Sequence, residues 1–329
     1  VGGFGIDFGT ANTVVGQPDA GIVLDEPSVM LTRANEPYRA IRVGKEAREL
    51  IGRTPAGFAT VRPMRDGVIV DLESARAYIG AIIRKVTDRW QRWMRPRAVI
   101  AVPAGATTLE RRALLEVAHE AGLRKVAVLP EPVSGALGSG VNPIEPRAHL
   151  VVDVGGGTSE ITGFCFGGVL THRSCRVAGD ELTLALYQHL RAEHQIVVGE
   201  LTAEDIKVGM HGQDDPSLVV EGRDAATGRA RLVTLDTAEI MDALRPTTTE
   251  IVHTLTSCLE DLPAQAVGDV MAEGVLAIGG GSLLRGFTML LEEAFGFPVK
   301  QSERPLTCVA EGATAALSQP DVVAAYGYY

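Results

Sequence analysis

The sequence predicts an α/β protein in which a unit of helices packed on a mixed sheet is built twice. Three observations lead there. The stretches "FGIDFGTANTVV" (4 to 15) and "HLVVDVGGGTSEITGF" (149 to 164) share an apolar strand, an aspartate, a small-residue turn with glycine and threonine, and β-branched residues that resume the strand. Between and beyond them, short apolar strands alternate with amphipathic helical stretches. The 329 residues suffice for two domains, each with its own core.

After the first turn, Thr13, Val14 and Val15 are strand formers, so the chain is expected to fold back as a hairpin, and Ile161 and Thr162 say the same of the second. Residues 29 to 61, with "VGKEARELIGRTP", interrupt the alternation as a compact insert. "RPRAVIAVPAG" (95 to 105) reads as a strand ending at Pro103, "TLERRALLEVAHEAG" (108 to 122) as a helix closed by Gly122, and "KVAVLPEPVSGALGSG" (125 to 140) as a strand running into a small-residue helix. A larger insert over 177 to 236 holds a helix at "GDELTLALYQHLRAEH", another at "TAEDIKVGM", and a β-ribbon from Pro216 to Asp236. Then "GVLAIGGGSLLRGFTMLLEEAFG" (274 to 296) gives a strand, three glycines, Ser282 in the N-cap position and an amphipathic helix. The first half is thus 1–142 plus 306–329, and the second 143–305, each with its insert above a cleft. The closing "VVAAYGYY" reads as a frayed end rather than a partner-binding tail.

Composition excludes whole classes. No apolar run reaches the roughly 18 residues of a membrane-spanning helix. A net charge of −10 argues against nucleic acid as a main partner, since phosphate binding rests on clustered cations. Cys165, Cys175, Cys258 and Cys308 lack metal-ligand spacing and read as reduced thiols of a cytoplasmic protein, with a Cys165–Cys175 disulfide the one conceivable pairing. The chain opens at Val1 with neither methionine nor a leader pattern, which leaves a trimmed N-terminus and a lost anchor open.

Glycine turns at strand ends present backbone N–H groups with no Cβ in the way, which makes an anion-binding concavity. Two such turns, Gly9 to Asn12 (with Thr10 and Ala11) and Gly155, Gly156, Gly157 and Thr158, would grip a polyphosphate from both sides. Asp7 and Asp153 would repel it unless they hold a divalent cation, reached through waters. The third turn, Gly279, Gly280, Gly281 and Ser282, suits an anion at a helix N-terminus or a flat base on bare backbone. No Walker lysine follows any of these loops, which excludes a P-loop enzyme.

With these features in order, the chain resembles the actin, Hsp70 and sugar-kinase superfamily, and within it the bacterial actins of the MreB/Mbl type. The stretches "GIDFGTANTVV", "RPMRDGVIVD", "VIAVPAGATTLERRA", "EPVSGALGSG", "VVDVGGGTSEI", "RVAGDEL", "TAEDIK" and "IGGGSLLRG" carry the resemblance in family order along nearly the whole chain. It implies an actin-like (ribonuclease H-like) fold of four subdomains around a nucleotide cleft, ATP and ADP with Mg²⁺ as ligands, ATP hydrolysis, and paired antiparallel filaments. It also implies placement on the inner face of the cytoplasmic membrane, together with cell-wall elongation proteins, in setting cell shape. By the same resemblance Asp7 and Asp153 attend Mg²⁺, the latter also serving catalysis, and Thr10, Asn12, Gly155, Gly156, Gly157 and Thr158 touch phosphate. Glu131 falls on the position that orients the attacking water, and Glu204 and Lys207 fall where the nucleoside is held. The chain departs from the family's Glu-Glu-Pro with Pro130-Glu131-Pro132, and from a common glutamate with Gly209, where glycine would cost a helix interior about 1 kcal/mol.

Both tryptophans lie in "IRKVTDRWQRWMRPR" (83 to 97), among Arg84, Lys85, Arg89, Arg92, Arg95 and Arg97. On a helix Trp90, Trp93 and Met94 share one face, an interfacial membrane pattern, with each nearby cation worth about 1 kcal/mol at an anionic leaflet. The contrasting expectation is that the tryptophans cap the core between subdomains. Three other functions fit the same fold. A small-molecule kinase would need a catalytic aspartate beside a substrate hydroxyl, and none stands out between Ala98 and Gly140; a monomeric nucleotide switch stays open, because filament contacts carry no local motif. An Hsp70-like chaperone ATPase calls for a peptide-binding domain that the residues up to Tyr329 do not offer.

Overall fold

The computed structural model describes residues 2–210 and 217–329. The first hairpin joins β1 (Gly3–Phe8) to β2 (Asn12–Gln17), and β3 (Gly21–Pro27) continues it antiparallel. The insert that follows contains β4 (Met30–Arg33), β5 (Arg42–Val43), α1 (Lys45–Arg48) and β6 (Phe58–Val61). A two-residue turn at Asp66-Gly67, both with positive φ, joins β7 (Met64–Arg65) to β8 (Val68–Ile69), as expected of an Asp-Gly pair. Helix α2 (Leu72–Val86), capped by Asp71 on the Ser74 N–H at 2.8 Å, leads to α3 (Arg89–Met94) and β9 (Arg97–Val102). Helix α4 (Thr108–Glu120) opens on a capping box of Thr107 and Glu110, then β10 (Val126–Pro130) runs straight into α5 (Glu131–Gly138).

The second half repeats the plan with β11 (His149–Val154), β12 (Ser159–Cys165) and β13 (Gly168–Cys175). Its insert carries α6 (Gly179–Glu193), β14 (Ile196–Val197), α7 (Glu200–Gly209), β15 (Ser217–Asp224) and β16 (Ala230–Asp236). The expected start of the ribbon, Pro216, lies outside the described residues. Helices α8 (Thr237–Thr256) and α9 (Ala264–Glu273), strand β17 (Val275–Ile278), α10 (Phe287–Phe295), β18 (Val299–Gln301), α11 (Cys308–Ala316) and α12 (Pro320–Tyr326) complete the chain.

Among the described residues the strands build two five-stranded sheets of one topology. Their orders, β3-β2-β1-β9-β10 and β13-β12-β11-β17-β18, match strand for strand: an antiparallel meander, then two strands parallel to its first member. The central strands are apolar on both faces, as in "AVIAV" of β9 and "LVV" of β11, because helices cover both sides. Each sheet has its own outer core: Phe4, Ile6, Tyr78, Ile82 and Leu114 in the first half, Leu150, Val152, Leu186, Ile251 and Leu291 in the second. Between the sheets lie α5 and α11, where Val133, Ala136, Cys308 and Val309 pack with Val151, Phe164 and Ile278. Three-stranded sheets β5-β4-β6 and β14-β15-β16 form the two outer lobes.

Three expectations are corrected. Ser282 caps no α-helix: Gly280–Leu283 is a 3₁₀ turn in which the Ser282 hydroxyl donates to the Gly279 carbonyl at 2.7 Å, and α10 begins only after Gly286 in the left-handed region. Cys165 pairs with Gly168 at one end of the β12–β13 ladder and Cys175 with Ser159 at the other, roughly 20 Å away at about 3.3 Å per residue, too far for a disulfide. The C-terminal end is docked: Tyr328 bridges Val128, and the Tyr326 hydroxyl donates to the Pro143 carbonyl at 2.8 Å.

Candidate nucleotide site

The two hairpin turns face each other. A Cβ on Gly156 would stand 2.8 Å from the Cβ of Ala11, and one on Gly157 would stand 2.8 Å from Asp66 backbone and 2.9 Å from the Thr10 hydroxyl. Such contacts are closer than real Cβ atoms make, so bare backbone is a condition of this approach. Each turn is braced from behind. Ser28 donates its hydroxyl to the Gly9 carbonyl at 2.6 Å and its N–H to the Ala11 carbonyl at 2.9 Å, while buried Tyr78 donates to Thr13 Oγ1 beside it. On the other side the N–H groups of Gly179 and Asp180, at the start of α6, donate to the carbonyls of Gly155 and Gly156 at 3.1 and 2.7 Å. Buried Thr10 accepts from the Gly67 N–H at 2.8 Å, which seats the Asp66-Gly67 turn against both hairpins.

Four carboxylates gather beneath these turns. Asp7 is the last residue but one of β1, Asp153 lies in β11, Glu131 opens α5, and Glu160 lies in β12 opposite Asp153 in the ladder. Burial, reinforced by Asp153, pushes Asp7 up to about 7, and burial alone brings Asp153 to about 7. Glu160 also rises to about 7 through burial, against the pull of its hydrogen bond from the Ala104 N–H at 2.9 Å. Glu131 is pushed well above its ordinary value by burial and by the charges of Asp7, Asp153 and Glu160. A cation would relieve the repulsion among these carboxylates, and oxygen donors suit a hard dication such as Mg²⁺, met through waters, since among the described residues no three of them converge as direct ligands. Gly279 contributes room: at φ +78° a Cβ there would lie 2.4 Å from Asp153 Oδ1.

The other expected residues fall around this center in different ways. Gly280 and Gly281 open the 3₁₀ turn that follows β17, Gly281 beside Val154 and Gly280 near the Leu306 side chain. Asn12 is exposed at the start of β2. Lys207 is buried; its ammonium donates to the Gly179 carbonyl at 2.8 Å and Thr183 Oγ1 at 2.9 Å and pairs with Glu204 at 2.7 Å. Burial alone would raise the Glu204 acid, but the Lys207 charge and hydrogen bond hold it below its ordinary value. Gly209 is the last residue of α7 with open space where a side chain would go, so the penalty of an interior glycine does not arise.

Away from the cleft, α3 is held by a capping box of Asp88 and Gln91 and by Arg92, which donates to the Thr87 carbonyl at 2.8 Å. Trp90 and Trp93 are 67% and 72% exposed with ring centroids 5.2 Å apart, so they do not cap a core between subdomains. Met94 is half-buried and, together with Trp90, lines a cavity of about 90 Å³ with Phe4 and Pro96. Sequence reasoning missed Glu160, Ser28 and Asp66. Only the Asp-Gly pair of the last carried a local signal.

The family model for MreB/Mbl protein matches residues 2–325. Cell shape-determining protein MreB of Escherichia coli (strain K12) is 39% identical over 324 residues, 96% of this chain and 93% of that protein. Cell shape-determining protein Mbl of Bacillus subtilis (strain 168) is 35% identical over 321 residues, 96% of each. The crystal structure of MreB 5 of Spiroplasma citri bound to AMPPNP superposes with a TM-score of 0.90 at 31% identity, covering 97% of each chain. A MamK double helical filament, at TM-score 0.78 and 21% identity over 96% of this chain and 98% of that one, shares the fold. On whole-length sequence and actin-like architecture together, this chain belongs to the MreB/Mbl family of bacterial actins.

Proposed function

We propose that this chain binds ATP and Mg²⁺ between the paired glycine turns, hydrolyses the nucleotide, and assembles into filaments that organise cell-wall synthesis and cell shape from the inner face of the cytoplasmic membrane. The observation that carries the reading is the meeting of Gly156 with Ala11 directly above four pKa-raised carboxylates. It is supported by the Spiroplasma citri MreB 5 structures, which hold AMPPNP and ADP, and by relatives named for determining cell shape.

In this reading Gly9 to Asn12 and Gly155 to Thr158 cradle the phosphates with backbone N–H groups, while Gly279 to Ser282 flank the rest of the nucleotide. Asp7 and Asp153 would hold Mg²⁺, through waters, and the ion supplies charge neutralisation at the phosphates. Glu131, fixed at the first residue of α5 and raised in basicity by burial and then by its acidic neighbours, orients a water and takes its proton. Glu204 and Lys207 fix the start of α6 behind the second turn and border the nucleoside. Trp90 and Trp93, exposed amid arginines, insert into the anionic leaflet. Assembly is with further copies of the chain, as paired antiparallel protofilaments, and with cell-wall elongation proteins.

High-speed sedimentation coupled to phosphate release tests this. The wild-type chain is expected to pellet with ATP and Mg²⁺ and to release phosphate. Glu131→Gln is expected to pellet equally with phosphate release lowered by about 10² to 10⁴. Pelleting indifferent to nucleotide, or phosphate release unaffected by Glu131→Gln, would sink it.

A further inference from the structure

A second group of ligand atoms, of different chemistry, converges at the neck of the outer lobe in the second half. His189 lies near the end of α6, and His194 is that helix's C-cap, followed by Gln195 at φ +51°, which turns the chain away. Glu239 lies in the first turn of α8. Both imidazoles aim Nε2 at one carboxylate oxygen, Glu239 Oε1, at 2.7 Å for His189 and 2.6 Å for His194. The rings stand 5.9 Å apart at 68°, and the ligand atoms of the three residues all lie within 4.8 Å of one another. The three side chains are 21% to 33% exposed, and His189 and Glu239 line a depression of about 450 Å³ together with Asp236 and Asp242.

We propose that His189, His194 and Glu239 form a binding site for a first-row transition-metal dication of the Zn²⁺ or Co²⁺ kind, which fastens α6 to α8. Two imidazoles and a carboxylate are a donor set that such ions take with water completing the shell, and imidazole nitrogen selects them over Mg²⁺. The carboxylate already holds the rings in convergence, so little ordering is left for the ion to impose. Metal bonds of about 2.0–2.2 Å require the nitrogen-to-oxygen separations to open to roughly 3.3 Å in a tetrahedron, a small outward movement of half-exposed side-chain ends. On binding, each Nε2 must be free of its proton, which moves to Nδ1 or to solvent. The depression supplies water for the remaining positions, and Asp236 adds negative potential, the charge of Asp242 being paired with Arg245. His189 and Glu239 are 50 residues apart, and the segment between them includes β14, α7, β15 and β16. The ion therefore closes the whole lobe at its base. This chemistry is independent of the all-oxygen cleft.

A Co²⁺ titration in excess Mg²⁺, followed by visible absorption, tests the site. The wild-type chain is expected to bind one Co²⁺ saturably with a weak d–d spectrum, displaced by Zn²⁺. His189→Ala/His194→Ala is expected to bind at least tenfold more weakly with its circular dichroism unchanged. Absent saturation, binding that survives in the double variant, or a strong near-ultraviolet thiolate band reporting the four cysteines overturns the proposal. Should the variant not fold, wild-type crystals soaked in Zn²⁺ decide: an anomalous peak about 2 Å from both Nε2 atoms supports the site, and soaked crystals without one refute it.

Discussion

At the scale of single residues the acid cluster of the cleft sets the protein's response to pH. Burial raises Asp7, Asp153 and Glu160 to about 7 in the fold, from ordinary values of 3.8 and 4.5, so between those limits the folded state holds protons that the unfolded state has lost. Stability contributed by these groups is present at low pH and declines as pH rises toward 7 and beyond. His172, lowered by burial, works in the opposite direction, but it is one group against several. In EDTA the unfolding midpoint is expected to fall from about pH 5.5 to 8, more gently in Glu160→Gln, and Mg²⁺ is expected to flatten the fall; calorimetry that finds a level or rising midpoint in EDTA contradicts this. Asp7 and Asp153 were legible in the sequence because each adjoins a strand end with its own glycine turn, and Glu131 only through the family resemblance. Glu160 was not. It looks like an ordinary strand residue, and its role emerges only where β12 meets the Ala104 loop of the other half.

At the scale of elements, hairpins and capped helices were readable because their signals are local: Asp71, Thr107 with Glu110, and β-branched residues after each glycine turn. Ser282 misled because a serine after glycines also serves a 3₁₀ turn, and the true helix start at Gly286 is a left-handed residue without a capping side chain. The docked C-terminal end was hidden because its partners, Val128 and Pro143, are distant in sequence. In α3 the tryptophans face solvent, so Trp90→Ala/Trp93→Ala is expected to unfold near the wild-type midpoint yet lose pelleting with anionic liposomes; undiminished pelleting would argue against the membrane role. In α11 a Cβ on Gly312 would stand 1.7 Å from the Ser134 carbonyl oxygen of α5, and one on Gly138 would stand 1.9 Å from that of Cys308. Gly312→Ala should cost about 1–3 kcal/mol or more by forcing the helices apart, measured by urea unfolding. An unchanged midpoint would show that the crossing yields freely.

At the scale of the molecule, the duplication was plain from two short stretches, whereas the contacts that close the cleft were not, since they join residues 138 and 157 positions apart. Arg62 pairs with Glu200 and, at 3.6 Å, with Asp180, and Arg48 reaches Asp205 at 3.1 Å, so the lobes are linked across the mouth. These pairs are largely solvated, and each contributes little to stability. Their effect is on opening. Arg62→Ala is expected to leave the unfolding midpoint within a degree or two while speeding release of a fluorescent ATP analogue several-fold, with added salt doing the same to the wild type. Release at the wild-type rate would place the closing contacts elsewhere.

The chain leaves the first sheet after α5 and returns ahead of α11, and these helices meet backbone to backbone at Gly138 and Gly312, with the hydroxyls of Ser139 and Ser302 joined at 2.9 Å beside them. Beside this glycine contact Val133 and Ala136 of α5 pack with Cys308 and Val309 of α11. Were the two sheets to turn on so narrow a contact, displacement would grow with radius, and a small adjustment beside the glycine turns would become a wider one at the outer lobes.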